Sequence, residues 1–326
     1  MKKIFKKILI KLNRLCGYEI IDQNDFSFPS LKDKKFNNLS TLNKKSIVLP
    51  LGEVKITRKV KSLGIILRTN SNIHISDQNK KRIFNKDKIN YIEKSLNSLM
   101  TSIKSFQSKY KNLEINLTIV DQSNDEDILK KFKKIFENLN IKIEIINFDK
   151  NEFKDEIKLD YNKDVFGNLS SLLKCFKIAK NNNDDLCFFL EDDYLHKESL
   201  IEEMILTYER ISSQIKKEII LVPADYPYLY TNERSTKVLV GSHRHWQTLN
   251  KVLCSFMTSK EILEIYWNNF LLTCQEHNEP IEKYLNEICE KEVCLSPIPS
   301  LSIHMANVNS IFGIPPFLDI KSEWDN

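Results

Sequence analysis

Three consecutive acids, Glu191-Asp192-Asp193, directly follow the apolar run Leu186-Cys187-Phe188-Phe189-Leu190. Carboxylates packed this closely repel one another, and taking up protons or a cation relieves the repulsion. Oxygen ligands of this kind suit Mg²⁺ or Mn²⁺, above all where a substrate diphosphate brings oxygens of its own. The competing reading is a solvated turn that caps a helix expected over 198–210. A second polar cluster is Gly241-Ser242-His243-Arg244-His245-Trp246. His243 and His245 have the spacing of two ligands on one strand face, but Zn²⁺ would need further ligands, and no Cys or His lies close in sequence.

The elements that must position these groups are legible from periodicity. Gly64-Ile65-Ile66-Leu67-Arg68-Thr69 reads as a buried strand ending in polar residues. Ile92, Leu96, Leu99, Ile103 and Phe106 recur at helical spacing over 89–110. Leu117-Thr118-Ile119-Val120-Asp121-Gln122-Ser123 is a strand that stops on an acid. A helix over 125–138, a strand over 141–148 and a helix over 167–180 follow, and then the apolar strand that runs into Glu191. Alternation of this kind predicts an α/β layer fold with a mostly parallel sheet flanked by helices. Such sheets bind ligands beyond the carboxyl ends of their strands, where Arg68-Thr69, Asp121-Gln122 and Glu191-Asp192-Asp193 should meet. The later strands are expected over 218–222 and 254–258, with helices over 260–270 and from Ile281 to Ile288. Tyr226, Tyr228 and Tyr230 form an aromatic loop that either packs at a sheet edge or meets a ligand.

Composition excludes several classes. The chain has 326 residues, 41% hydrophobic and 29% charged, which is a globular rather than a disordered balance. None of its six glycines are spaced as a dinucleotide fingerprint or a P-loop. Its seven cysteines form no CxxC pair and read as free thiols of a reducing compartment. The net charge of +5 is uneven: residues 1–61 hold 15 Lys or Arg against 5 Asp or Glu, the rest 34 against 39. A mildly acidic body argues against a nucleic-acid partner.

The basic excess begins with MKKIFKKILIKLNRLCGYEI. Met1, Ile4, Phe5, Ile8, Leu12 and Leu15 line one helical face, with Lys3, Lys6, Lys7, Lys11 and Arg14 mostly on the other. The pattern predicts a basic amphipathic helix, lying on an anionic membrane surface or docked on the protein's own body. It is too short and too charged to span a bilayer and lacks the features of a secretory signal. The expected organisation is a helix and linker over 1–61, which include Phe26-Ser27-Phe28-Pro29 and Val48-Leu49-Pro50-Leu51-Gly52. A ligand-binding half over 62–215 follows, then a second half with a C-terminal tail over 216–326. The expected location is the cytoplasm, peripheral on the inner membrane face if the helix binds lipid.

The order of these features resembles the nucleotide-sugar-binding half of GT-A-fold glycosyltransferases, most like the family-2 type, over residues 62–200. Val120-Asp121-Gln122-Ser123 looks like the family's base-contacting strand end, and Leu190-Glu191-Asp192-Asp193 looks like its DXD motif, with Glu in place of the first Asp. The resemblance implies that Asp121 contacts the nucleobase, that Arg68 and Thr69 line the nucleotide pocket, and that Asp192 faces the ribose or donor sugar. Asp193, with Glu191 and His304, would hold a divalent cation, Mn²⁺ or Mg²⁺, that bridges the diphosphate. The family's Arg in the preceding helix is missing; Lys174 is the candidate substitute. The catalytic base implied for an inverting member falls on Glu276, with Glu279 as runner-up, although exposed carboxylates also favour helix starts for their own sake. Arg244 can grip phosphate and Trp246 offers a face to a sugar, so Arg244, His245 and Trp246 are expected to shape the acceptor side, with surface turn chemistry as the alternative.

The implied activity is metal-dependent transfer of a sugar from a nucleotide-diphosphate donor to a hydroxyl of a glycan or lipid-linked acceptor. A sugar nucleotidyltransferase ranks behind it, because no Gly appears from Ser71 to Ser76. A membrane-associated scaffold is the non-enzymatic alternative.

Overall fold

The structure is a computed structural model, and it describes residues 2–18, 45–48, 52–71, 84, 86–122, 125–158, 163–306 and 310–325. The 22–44 part of the linker, Leu49-Pro50-Leu51, residues 72–76 and Ser123 lie outside the described residues. The chain forms two units, Met1–Asn38 and Leu39–Asn326. In the first, helix α1 spans Lys2–Leu15.

The second unit is built on a nine-stranded sheet. Its strands are β3 (Ser62–Thr69), β4 (Glu114–Asp121), β5 (Lys142–Asn147), β6 (Leu186–Glu191), β8 (Ile220–Leu221), β9 (Val238–Val240), β10 (His245–Thr248), β11 (Phe256–Ser259) and β12 (Cys294–Ile298), in the order β5-β4-β3-β6-β11-β8-β12-β10-β9. Two small two-stranded sheets stand apart, β1 (Lys45–Val48) with β2 (Gly52–Lys55) and β7 (Tyr194–His196) with β13 (Ser302–His304). The four strands β5, β4, β3 and β6 are parallel to one another. The antiparallel β11 then joins them to β8 and β12, which are again parallel, and the β9/β10 hairpin closes the far edge.

Burial along β3 shows why the sheet forms. Leu63, Ile65 and Leu67 enter one apolar cluster and Ile66 the other, so both faces are covered. Helices α2 (Lys88–Lys109), α3 (Glu126–Phe136) and α5 (Leu200–Ile215) pack on the first face, through Leu96, Phe132 and Met204 among others. Helices α4 (Lys163–Asn181), α6 (Lys260–Ile265), α7 (Trp267–Gln275) and α8 (Lys283–Lys291) pack on the second, where Phe176, Phe189, Phe256 and Phe270 interlock. Each fully buried aliphatic side chain here contributes about 2 kcal/mol. A short helix α9 (Ile320–Asp325) brings Trp324 onto Phe84 and Tyr91.

The single helix expected over 260–270 is two, broken at Tyr266, which closes α6 and opens α7. The packed body also starts ahead of residue 62. Ile56 and Val60 are buried, and the Arg58 guanidinium forks onto Asp185 at 2.7 Å and Glu218 at 2.8 Å. The described cysteines are all free, Cys16 exposed and the others buried.

Candidate active site

Strand register assembles the strand ends. Thr69 lies opposite Asp121, Asp121 opposite Asn147, and Arg68 opposite Glu191. The chain leaves β3 between the ends of β4 and β6, the switch point at which the connections run to opposite sides. Two consecutive residues there tie the flanking acids together. The Asn70 amide donates to Asp192 at 3.0 Å, while the Ser71 hydroxyl donates to Asp121 at 3.1 Å and its amide does so at 3.4 Å. Asp121 and the Glu191-Asp192-Asp193 turn therefore flank one exit of β3. The buried Thr69 hydroxyl beside them has no partner among the described residues.

Each acid of the triplet has a different environment. Glu191 turns to Arg68 at 2.5 Å, and the other side of that guanidinium is held by the side chain and carbonyl of Asn168 in α4. Burial works against the Arg68 charge, Glu191 is the foremost influence opposing it, and the guanidinium is held charged. Asp192 receives Lys88, the first residue of α2, at 3.1 Å; that lysine is 8% exposed. Asp193 faces His304, with Oδ2 to Nε2 at 3.4 Å, and the Met305 amide donates to the Asp193 carbonyl at 2.8 Å. Glu191 is thus committed to Arg68 rather than to the Asp193–His304 pair.

The donor set of that pair fits a divalent cation. With Nδ1 donating to the Phe312 carbonyl at 3.0 Å, the His304 ring presents Nε2 to Asp193. Tyr194 stacks on the ring at 4.8 Å and fixes its plane. Two neighbouring ligands on an octahedral ion with bonds of about 2.1 Å stand about 3 Å apart, close to the spacing seen here. Burial works against an imidazolium, but Asp193 and then Glu191 outweigh it and hold the His304 pKa above its ordinary value. Among the described residues no three His, Cys, Asp or Glu side chains converge as a metal cluster, so any further ligands would come from outside the chain.

Several expected residues stand elsewhere. Lys174 is held by Glu152 at 2.8 and 3.0 Å, and α4 carries it about 10 Å along its axis from Gly167, away from the strand ends. Trp246 is fully buried and donates to Glu203 at 3.1 Å, so it cannot offer a face to an acceptor. Gly241 lies against that indole; a Cβ there would collide with Trp246 and Thr207. Arg244 donates to the Pro299 carbonyl at 2.9 Å, and His245 is exposed at the start of β10. Both sit on the strand-end edge of the sheet but four strands from β6, about 19 Å away. His243 leans on Glu203 at 3.3 Å, so the His243/His245 pair does not converge on a metal.

Glu276 is exposed at the end of α7 and accepts from the Tyr284 hydroxyl at 2.7 Å; Glu279 is exposed in the loop beyond. The acid of this segment that faces the cluster is Glu282, at the start of α8. Burial raises its pKa, the negative charge of Glu191 raises it further, and the Cys254 thiol donates to it at 3.6 Å. Sequence reasoning missed it because 276, 279 and 282 are three acids at equal steps, which only burial separates. It also missed Lys88, for which no sequence signal exists, and Asn70-Ser71, which extend the strand end already recognised. Tyr226 is buried, and its hydroxyl meets that of Tyr194 at 2.8 Å, which ties the second half of the chain to the His304 stack.

No family model matches the chain, and no curated protein matches it in sequence. Among solved structures it is similar to residues 1–349 of TarS from S. aureus, at 13% identity over 72% of this chain and 57% of that one, TM-score 0.40. The chain thus spans just over half of that structure. It is also similar to mouse xyloside xylosyltransferase 1, at 11% identity over 72% and 84%, TM-score 0.42. A third similar structure is UTP-bound UGPase from Acinetobacter baumannii, at 10% identity over 76% and 88%, TM-score 0.37.

Proposed function

We propose that the chain is a glycosyltransferase that takes a nucleotide-diphosphate sugar and passes the sugar to a hydroxyl of a glycan or lipid-linked acceptor. The observation that carries the reading is the bracket at the end of β3, where Asn70 and Ser71 hold Asp192 and Asp121 on either side of one strand exit. Asp121 with Ser71 would meet the nucleoside, and Asp192 with Lys88 the ribose or the donor sugar. Asp193 and His304 would hold a divalent cation, which when bound supplies Lewis-acid stabilisation of the departing diphosphate. Glu282 would take the acceptor proton in an inverting transfer. Its raised pKa suits a general base better than an exposed carboxylate does.

The test is thermal unfolding with Mn²⁺, Mg²⁺, UDP and GDP, singly and together. A ligand that binds only the folded chain raises its stability, by about 2.7 kcal/mol at one hundred times its Kd. A nucleoside diphosphate should stabilise only with the cation present, and Asp193→Ala should abolish the effect without lowering the basal melting temperature by more than a few degrees. Nucleotide that stabilises neither with nor without cations removes the reading. With a labelled nucleotide-sugar, release of the nucleoside diphosphate is expected, whereas formation of nucleotide-sugar and pyrophosphate from a nucleoside triphosphate and a sugar 1-phosphate would move the chain to the nucleotidyltransferases.

A further inference from the structure

The helix of the first unit takes no part in the proposed chemistry, yet it carries a large exposed apolar face. In α1, Ile4, Phe5, Ile8, Leu9, Leu12 and Leu15 are between 44% and 79% exposed. At helical spacing they cover an arc of about 140°, wider than the stripe a solvated helix needs. The helix closes cleanly: Gly17 takes the left-handed conformation with φ of 84°, and the Tyr18 amide reaches back to the Asn13 carbonyl at 2.9 Å. Tyr18, an aromatic suited to a water–lipid boundary, is exposed at this end.

Charge selects the occupant of this face. Residues 2–18 contain Lys2, Lys3, Lys6, Lys7, Lys11 and Arg14 and no acid. The second unit, residues 39–326, carries 40 Lys or Arg against 40 Asp or Glu, so it offers no net charge to attract the helix. A second copy of the helix would bring like charges together. A surface that is apolar below and negative above satisfies both faces at once, and an anionic lipid leaflet has that structure. No described helix is long and apolar enough to cross a membrane; α1 is about 21 Å long, short of the bilayer core.

We propose that α1 lies in the plane of an anionic phospholipid surface, with Ile4, Phe5, Ile8, Leu12 and Leu15 inserted and its basic residues at the headgroups. This does not depend on the glycosyl-transfer reading. The full chain is sedimented with vesicles of phosphatidylcholine alone, or with about 30 mol% phosphatidylglycerol. Partition onto the anionic vesicles should be about tenfold or more stronger, and should fall steeply at about 0.5 M salt. Ile8→Glu with Leu12→Glu should abolish binding to both vesicles, while Lys3→Glu with Lys7→Glu should remove the anionic preference. Cation-dependent stabilisation by nucleotide, measured on the same variants, should not change.

Three results would overturn the proposal. One is absent or equal binding to the two vesicles. Another is a lowered melting temperature in the Ile8→Glu, Leu12→Glu variant, which would mean that the face docks on the protein's own body. The last is an oligomer in sedimentation velocity that this variant dissociates, which would make a second copy the occupant.

Discussion

The two ends of the nine-stranded sheet use polar residues in opposite ways. At the ends of β3, β4 and β6, each acid has partners from another segment: Ser71 on Asp121, Asn70 and Lys88 on Asp192, Arg68 on Glu191, His304 beside Asp193. Around β8 to β10 two buried carboxylates, Glu203 and Asp225, are closed onto neighbouring donors. Glu203, 1% exposed, accepts from Thr207, the Ser242 and His243 amides and Trp246. The Tyr230 hydroxyl, 2.8 and 2.7 Å from the two Asp225 oxygens, donates to that carboxylate, and Gln247, itself held by Arg234, donates a further bond to it. A saturated buried network stabilises and specifies a fold. A cluster of like charges at strand ends is a liability unless a ligand uses it. The comparison is the basis on which ligand chemistry is proposed for the first region and architecture for the second.

The strongest way to break that assignment is Glu282→Gln. It removes a proton acceptor and little volume, so turnover should fall by about a thousandfold while the melting temperature and the nucleotide affinity stay close to those of the parent. A stability loss with turnover intact would move Glu282 into the architectural class.

Glu203→Ala tests the other side. It strands the Ser242 amide and the Trp246 N–H in a dry interior, at a cost of about 3 kcal/mol in denaturant unfolding. Cation-dependent nucleotide binding by the folded fraction should be unchanged. If nucleotide affinity falls as much as stability, the two regions are coupled and the division fails.

These two residues also mark what sequence reading can reach. The strands β3, β4 and β6 and their polar ends, acidic on β4 and β6, were legible because a buried run that stops abruptly on polar or charged residues has few alternatives. Trp246 misled because an indole set between Arg, His and Gln reads as surface, whereas its partner Glu203 lies 43 residues away. Lys174 misled because helical position says nothing of which neighbour claims a long side chain; Glu152 does. Glu282 stayed hidden because desolvation, which distinguishes it from Glu276 and Glu279, is a property of the packed fold.

A smaller effect sharpens the comparison within the second region. Burial lifts the Asp225 carboxyl to about 6, against 3.8 for an ordinary aspartate, despite the Tyr230 and Gln247 bonds that oppose the rise. Between those values the folded chain keeps a proton that the unfolded chain has released. Stability therefore falls as pH rises through this window and is level above it. Asp225→Asn should remove that slope, so the variant gains about 2 kcal/mol on the parent between pH 4 and 6.5 in a melting series. A parallel pair of curves would place the Asp225 titration outside this network.

The smallest effect is the one that bears on how the first region treats charge. Lys88 is buried against Asp192, next to the Asp193 proposed to hold a cation. The proposed donor diphosphate would add negative charge to a turn that already carries three acids, and Lys88 would moderate that repulsion. Removing it should therefore act with opposite signs on two ligands. In Lys88→Met the KM for the donor should rise about tenfold with kcat little changed, since a favourable contact is lost in ground and transition states alike. Binding of Mn²⁺ alone should tighten, because a positive charge beside the site has gone. Lys88→Arg should restore both. A variant that weakens donor and cation together would show instead that Lys88 holds Asp192 in place, and the charge argument would give way to a purely positional one.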